Sequence, residues 1–155
     1  MIGLPTADDV LAFWFGNAPL LDARPEWFTK SDAFDAEIRA RFLPLWEALS
    51  TGDADTWMDT PLEAIARIVV LDQFSRNMFR GTARAFAADP KALALARRVV
   101  AAGWDAQLPS GHHRSFAYLP FEHDESVESQ REAVRLCAGI RDEAGRESYH
   151  PFAVR

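Results

Sequence analysis

The sequence predicts an all-α fold, and three observations support this prediction. Helix-start signals recur along the chain, apolar residues follow most of them at every third or fourth position, and no stretch shows the sustained alternation of a half-buried strand. The chain has 155 residues, of which 48% are hydrophobic and 26% are charged. This length and composition suit a single helical domain over residues 1–155. We expect about six or seven antiparallel helices in a compact bundle or a short solenoid.

The first two helices are predicted from their caps. Residues 6–9, Thr-Ala-Asp-Asp, can start a helix because the threonine hydroxyl accepts from free backbone N–H groups and the helix dipole favours acids there. Gly16 is a natural end for this helix. Ser31 can cap the second helix, whose apolar stripe is interrupted by Pro44. Since proline removes one donor and clashes with the preceding turn, we expect a kink near residues 40–43 or two consecutive helices.

Residues 60–63, Thr-Pro-Leu-Glu, are the clearest helix start in the chain. They combine a cap residue, a proline at the first helical position and a glutamate three residues after the cap. Most of the circumference of the following helix is apolar, which predicts a central position in the fold. On a helical wheel, one stripe contains Leu62, Ile65, Ala66 and Val69.

The segment 71–81, Leu-Asp-Gln-Phe-Ser-Arg-Asn-Met-Phe-Arg-Gly, continues this helix with polar residues. The wheel places four polar side chains on the apolar stripe and a fifth beside it: Gln73, Arg76, Asn77, Arg80 and, beside them, Asp72. Buried polar groups need partners. In one arrangement, Asp72 holds Arg76 and the others bond loop carbonyls and acids from other helices. In the other, Arg76 and Arg80 bind an anionic ligand, because guanidinium groups match carboxylate and phosphate.

The distribution of charge bears on this choice. Residues 72–98 are rich in arginine and lysine, whereas residues 121–132 are rich in aspartate and glutamate. These two segments could neutralise one another, which favours the internal network. The formal net charge of −6 argues against nucleic acid or an anionic membrane as a partner.

Three further helix starts follow the polar segment. Asp89 before Pro90 repeats the combination of a cap and a proline at the first helical position. Ser110 can cap the next helix, and either Asp124 or Ser126 starts another.

Residues 118–125, Tyr-Leu-Pro-Phe-Glu-His-Asp-Glu, form a second polar constellation. His123 stands beside Glu122 and Glu125, so an imidazole lies near carboxylates, as general acid–base chemistry requires. A capping or salt-bridging histidine is the alternative. The spacing matches no metal-binding motif, and no cofactor motif occurs elsewhere, so we expect neither a metal ion nor a cofactor.

The remaining reactive side chains are assigned to ordinary structural positions. His112 and His113 are expected at the surface, and Cys137 is expected in the core because it lies on an apolar helix side. The single cysteine forms no internal disulfide, which suits a reducing compartment. No apolar run approaches the ~20 residues of a membrane span, and residues 1–11 do not form a signal peptide. We therefore expect a soluble cytoplasmic protein.

Together these motifs resemble the bacterial domain-of-unknown-function family DUF924. The resemblance covers nearly the whole chain in order, and it rests on residues 13–16 (Phe-Trp-Phe-Gly), 71–81, 85–86 with Asp89, and 118–123 with Gln130. It implies an all-helical, tetratricopeptide-like right-handed solenoid and no established reaction. The motif positions of the family fall on Asp72, Gln73, Arg76, Asn77, Arg80, Glu122 and His123.

The chain also departs from the family pattern in two places. Many members have proline at the position of Ser75, which implies that the helix ends or kinks after Phe74. Members also continue beyond the position of Arg155 into a last helix and a basic motif, which we expect this chain to lack. The apolar face left open could then form a homodimer. Residues 142–149 predict a short helix before this end.

Three hypotheses for function follow. The first is a binding module whose groove takes a small anion or an acidic peptide end; its lining residues are Gln73, Arg76, Asn77, Arg80 and His123. The second is a hydrolase or transferase in which His123 and Glu122 form the acid–base pair and Arg76 and Arg80 clamp an anion. The third is a structural or interaction protein whose polar network only fixes the packing of helices.

Overall fold

The computed structural model describes residues 3–16 and 23–140, and within these ranges every regular element is a helix. The α-helices are α1 (Ala7–Phe15), α2 (Asp32–Thr51), α3 (Pro61–Ile68), α4 (Ser75–Met78), α5 (Asp89–Ala101), α6 (Gly111–His123) and α7 (Val127–Ala138). A π-helical segment, Val69–Phe74, joins α3 directly to α4. Short 3₁₀ turns lie at Pro25–Trp27, Ala83–Phe86 and Trp104–Gln107. The predicted all-α class is confirmed, whereas the tetratricopeptide-like arrangement stays a prediction.

The continuous helical run over residues 61–78 lies at the centre of the fold. Its α3 part packs against α1, α5 and α6, and its α4 part packs against α2. Its buried apolar residues are each at most 1% exposed: Ile65, Ala66, Ile68, Val69, Val70, Leu71, Phe74 and Met78. The predicted central helix is therefore confirmed. Leu62 is 42% exposed, so its assignment to the core was wrong; it lies in the first turn of α3, and burial begins at Ala64.

Most of the predicted helix caps are present. In α1 the capping is reciprocal: the Thr6 hydroxyl accepts from the backbone N–H of Asp9, and the Asp9 carboxylate accepts from that of Thr6. Four more side chains accept from the backbone N–H three residues later: Ser31, Thr60, Ser110 and Ser126. These bonds satisfy donors that the first helical turn would otherwise leave without a partner.

The prediction that Asp89 caps α5 was wrong. The residue before α5 is Ala88, which makes no side-chain cap, and Asp89 itself lies in the first turn. Its carboxylate accepts two hydrogen bonds from Arg76 instead. A guanidinium offers this carboxylate two charge-assisted hydrogen bonds at once, and Asp89 stands within the first turn rather than before it, which explains the change of partner.

Helix α2 continues through Pro44 as one element of 20 residues, so the alternative of two consecutive helices was wrong. Its buried residues stand on both sides of the proline: Ile38, Phe42, Leu45, Trp46 and Leu49. Burial of this apolar stripe offsets the free-energy cost of the backbone hydrogen bond that is lost because proline has no N–H group.

The π-helical segment changes the direction of the side chains that follow it. Because a π-helix bonds residues five apart, it rotates the next turn away from its position on a straight α-helical wheel. The resemblance implied that the helix ends or kinks after Phe74; the helix does not end there but continues to Met78. Ser75 stabilises the junction, because its hydroxyl donates to the Leu71 carbonyl (2.6 Å) and accepts from Trp46 Nε1 (2.7 Å). Arg80 lies beyond the end of the helix.

None of the helices in the described ranges is long and apolar enough to cross a membrane. The predicted helix over residues 142–149 lies outside the described residues. The expectations about the last helix, the basic motif and the homodimer likewise stay predictions.

Candidate functional site

A buried carboxylate organises the candidate site. The side chain of Asp72 in the π-helical segment is 1% exposed. His123 Nδ1 lies 2.8 Å from Asp72 Oδ1, and Gln73 Nε2 donates to Oδ2 at 2.7 Å. Arg76 Nη1 donates to the backbone carbonyl of Asp72 at 2.7 Å and stands 3.5 Å from Oδ1. These partners offset the free-energy penalty of burying the Asp72 charge, and we call these four residues the Asp72 cluster.

A second carboxylate fixes the guanidinium of Arg76. Asp89 accepts from Nη1 at 2.9 Å and from Nη2 at 3.0 Å, so the pair is bidentate. The Phe86 ring lies over the same group, with 5.3 Å between Arg76 Cζ and the ring centroid. Arg76 Nε donates to no residue of the described ranges. The guanidinium is therefore held in place from one side, while its Nε edge has N–H groups left to donate.

The Asp72 cluster lies beside a cavity of about 180 Å³. The polar part of its wall consists of Gln73, Arg76, Ser115, Glu122 and His123. The aromatic and apolar part consists of Trp27, Phe28, His112, Phe116 and Leu119. A small concave site with an apolar wall and a few convergent polar groups is typical of a ligand-binding pocket.

The elements that build this cavity come from distant parts of the chain. The π-helical segment supplies Gln73, the last residue of α6 supplies His123, and the 3₁₀ turn at residues 25–27 supplies Trp27. Gln130 of α7 fixes the end of α6, because its side-chain amide donates to the carbonyl of Glu122 at 2.5 Å and to that of Asp124 at 2.6 Å. The position of His123 thus depends on α7 as well as on α6.

Asn77 and Arg80 face a different part of the molecule. Asn77 Nδ2 donates to Asp35 Oδ1 at 2.8 Å, and Arg80 donates to the same carboxylate through Nε (2.9 Å) and Nη2 (3.2 Å). Neither residue is among those that line the cavity. Burial raises the pKa of Asp35, but the hydrogen bonds from Arg80 and Asn77 outweigh this effect, so the net pKa lies below its usual value. We call these three residues the Asp35 cluster.

The partners of the arginines differ from those suggested by the charge distribution. Arg76 pairs with Asp72 and Asp89, and Arg80 pairs with Asp35 of α2, as the internal-network alternative predicted for Asp72 and for an acid from another helix. The acids of residues 121–132 do not pair with these two arginines. The reason is the packing of helices: α4 lies against α2, which carries Asp35.

His112 and His113 are buried, at 7% and 9% exposure, so their predicted surface position was wrong. His113 stacks on Phe15 with 3.8 Å between ring centroids, and its Nδ1 lies 2.7 Å from Ser110 Oγ. Burial, followed by the nearby His112, lowers the pKa of His113 to about 4. His112 packs against Trp27 and lines the cavity. A helical wheel for α6 shows this inward face, since His112 and Phe116 are four residues apart.

The structure places both residues of the predicted acid–base pair at the cavity. Both His123 and Glu122 line the cavity, but His123 Nδ1 contacts Asp72. Cys137 is 3% exposed and burial raises its pKa to about 12, which confirms a core thiol. In the part of the chain that the structure describes, no group of three His, Cys, Asp or Glu side chains is arranged to hold a metal ion.

Comparisons with known proteins agree with this architecture. Residues 10–154 match the family described as bacterial protein of unknown function (DUF924). The chain belongs to this family. Its fold is similar to the solved structure of a protein of unknown function, ATU0120 from Agrobacterium tumefaciens, with a TM-score of 0.82 and 33% sequence identity over 96% of this chain and 78% of that one. No curated protein matches the sequence. The family resemblance is confirmed.

Proposed function

We propose that this DUF924 member is a binding module, and that the cavity beside Asp72 binds a small ligand with an anionic group. One observation carries the proposal: Arg76 and His123 line the same cavity, and both are anchored on the buried residue Asp72, Arg76 through the backbone carbonyl and His123 through the carboxylate. A donor whose position is already fixed loses little conformational freedom when a ligand binds.

The free edge of Arg76 supports an anionic group in the ligand. Asp89 takes one N–H from each terminal nitrogen, which leaves Nε–H and the second N–H of Nη2. In Arg80, the Nε and Nη2 atoms bind the carboxylate of Asp35. We infer that a ligand carboxylate occupies the equivalent edge of Arg76.

The electrostatics of the cavity favour a ligand with one negative charge over one with two. Three carboxylates lie at this site: Asp72 and Asp89 contact Arg76, and Glu122 lines the same cavity. A doubly charged phosphate would experience about twice the repulsion from these groups. His123 can donate to the anion through Nε2 when its ring is protonated, since Nδ1 already faces Asp72.

The size of the cavity limits the group that enters it. Its volume of about 180 Å³ is below the roughly 300–1,000 Å³ of pockets for drug-sized molecules. A group of one aromatic ring and one carboxylate is therefore a suitable probe, and benzoate combines both. Benzamide has almost the same shape without the charge.

Isothermal titration calorimetry with benzoate and benzamide tests the proposal. We expect benzoate to bind, benzamide to bind at least about tenfold more weakly, and Arg76→Ala to remove this difference, since a hydrogen bond to a charged group contributes about 1.5–3 kcal/mol. The matched control is Arg80→Ala, which removes an arginine of the same segment that does not line the cavity. Equal loss of benzoate affinity in both variants would reject the role of Arg76.

A second candidate function is acid–base catalysis, and the contact between His123 and Asp72 favours it. A carboxylate only accepts hydrogen bonds, so the Nδ1–H of His123 donates to Asp72 and Nε2 is left to accept or donate a proton. Asp72 thus replaces Glu122 as the partner in the hydrolase or transferase hypothesis. A screen of small esters and phosphomonoesters tests it, and any activity unchanged in His123→Gln would exclude this histidine.

A further inference from the structure

Two exposed phenylalanines lie next to the candidate site. Phe28 of the cavity wall is 56% exposed, and Phe86, whose ring covers the guanidinium of Arg76, is 58% exposed. Large apolar side chains exposed beside polar groups are typical of a surface that contacts a partner or a ligand. The site therefore extends from the cavity onto an aromatic surface outside it.

The cavity and this surface together suit a ligand that is longer than the cavity. A group the size of one amino-acid side chain fills about 180 Å³, so a ligand that also covers Phe86 must continue outside. We infer that the ligand is the C-terminal end of a polypeptide with apolar last residues. This inference rests on the proposed function and names its ligand class.

Each part of such a chain end has a counterpart in the site. The terminal carboxylate carries one negative charge and can accept from the Nε edge of Arg76. The last side chain would enter the cavity against Trp27, Phe116 and Leu119. The preceding apolar side chain would then lie on Phe86 outside.

The chain end is favoured over an internal acidic residue for a geometric reason. An internal aspartate or glutamate has polypeptide on both sides, and both directions would have to leave a cavity that holds one side chain. A C-terminal residue has polypeptide on one side only, so the chain leaves the cavity in a single direction. Its carboxylate and its last side chain also belong to the same residue, as the adjacent polar and apolar walls require.

Calorimetry on the full chain with three matched probes tests this inference. The probes are N-acetylphenylalanine, a blocked pentapeptide that ends in leucine and phenylalanine with a free carboxylate, and the same pentapeptide as a C-terminal amide. We expect the pentapeptide acid to bind about tenfold more tightly than N-acetylphenylalanine, because it buries a further apolar side chain, and the amide to lose this affinity. Benzoate serves as the reference for the small-anion site.

Surface variants assign the gain to the aromatic surface. In Phe86→Ala, the affinities of the pentapeptide acid and N-acetylphenylalanine should differ by no more than about twofold, since the contact outside the cavity is lost. The ratio of these two affinities is compared because any change that the variant causes at Arg76 affects both ligands and cancels in the ratio. Val127→Ala is the matched control, because it removes an apolar side chain that is 63% exposed on α7 and does not line the cavity.

The outcomes separate this inference from the proposed function. If benzoate binds but the pentapeptide acid binds no better than N-acetylphenylalanine, the polypeptide ligand is rejected and the small-anion site stands. If the amide binds as tightly as the acid, recognition of the terminal carboxylate is rejected. If no carboxylate binds, both proposals fail.

Discussion

Arg76 and Arg80 stand four residues apart in one motif, yet they take part in two different structures. Arg76 is 22% exposed, binds Asp89 through its two terminal nitrogens and lines the cavity. Arg80 is 41% exposed and binds Asp35 through Nε and Nη2. The helix ends between them, at Met78, so the second arginine is not carried along the same face.

Residues of one sequence motif thus belong to two separate polar clusters. The Asp35 cluster fastens the end of α4 to α2, because Asn77 and Arg80 both donate to a carboxylate of that helix. The Asp72 cluster instead connects the central helix to α5 and α6, and it leaves donors beside a cavity. The Asp35 cluster concerns stability, whereas the Asp72 cluster belongs to the proposed binding site. The predictions below compare the two clusters directly.

Asp72→Ala should have the largest effect on stability. It removes the carboxylate that accepts from Gln73 and contacts His123 at a fully buried position, together with the 3.5 Å contact to Arg76, so we expect a loss of about 3–5 kcal/mol in the free energy of unfolding. Urea denaturation measures it. The control is Asp55→Ala, which removes an ion pair with Arg98 from a side chain that is 83% exposed and should cost at most about 1 kcal/mol. Similar losses in both variants would contradict a central role for Asp72.

Asp35→Asn should have a smaller effect that depends on pH. The pKa of Asp35 in the folded protein is lower than its model-compound value of 3.8, so the folded state binds the proton less well than the unfolded state does. The stabilisation is therefore fully present above pH 3.8 and disappears as pH falls through the lower pKa of the folded state. At neutral pH we expect the variant to lose about 1–3 kcal/mol.

Urea denaturation of both proteins at several pH values measures this effect. The difference in the free energy of unfolding between wild type and Asp35→Asn should shrink towards acidic pH. A difference that stays constant from neutral pH to below the folded pKa would show that the ionised carboxylate does not contribute. Benzoate affinity should not change in this variant, which separates the Asp35 cluster from the cavity.

Ser75→Ala should have the smallest effect of the three on the free energy of unfolding. Ser75 lies at the junction of the π-helical segment and α4. The variant leaves Trp46 Nε1 without the acceptor that it has at 2.7 Å, in a buried position, so we expect a loss of about 1–2 kcal/mol in urea denaturation. Trp46→Phe in the same background is the control. It removes the unsatisfied donor. In a double-mutant cycle, the losses in the free energy of unfolding caused by Ser75→Ala and Trp46→Phe should therefore be less than additive. Full additivity would show that the bond does not stabilise the junction.

Local signals in the sequence were sufficient for the helices. A cap such as Thr60, its following proline and the acid three residues later interact within one helical turn, so their meaning does not depend on distant parts of the chain. The same locality explains the failures. Asp89 has the pattern of a cap, but a stronger partner reaches it from the central helix. His112 and His113 were predicted at the surface, but they are buried, because the local sequence does not show which distant elements pack against them.

The candidate site was predicted only in part, for the same physical reason. The sequence by itself determined that residues 71–81 carry polar groups at positions next to the core, and that Asp72 and Arg76, four residues apart, can contact each other. Only the tertiary structure decided that His123 meets Asp72, that Trp27 lines the cavity and that Asp35 takes Arg80. Contacts of this kind depend on which helices pack together and on the rotation that the π-helical segment introduces, and both are set by burial of the whole apolar core rather than by any one segment.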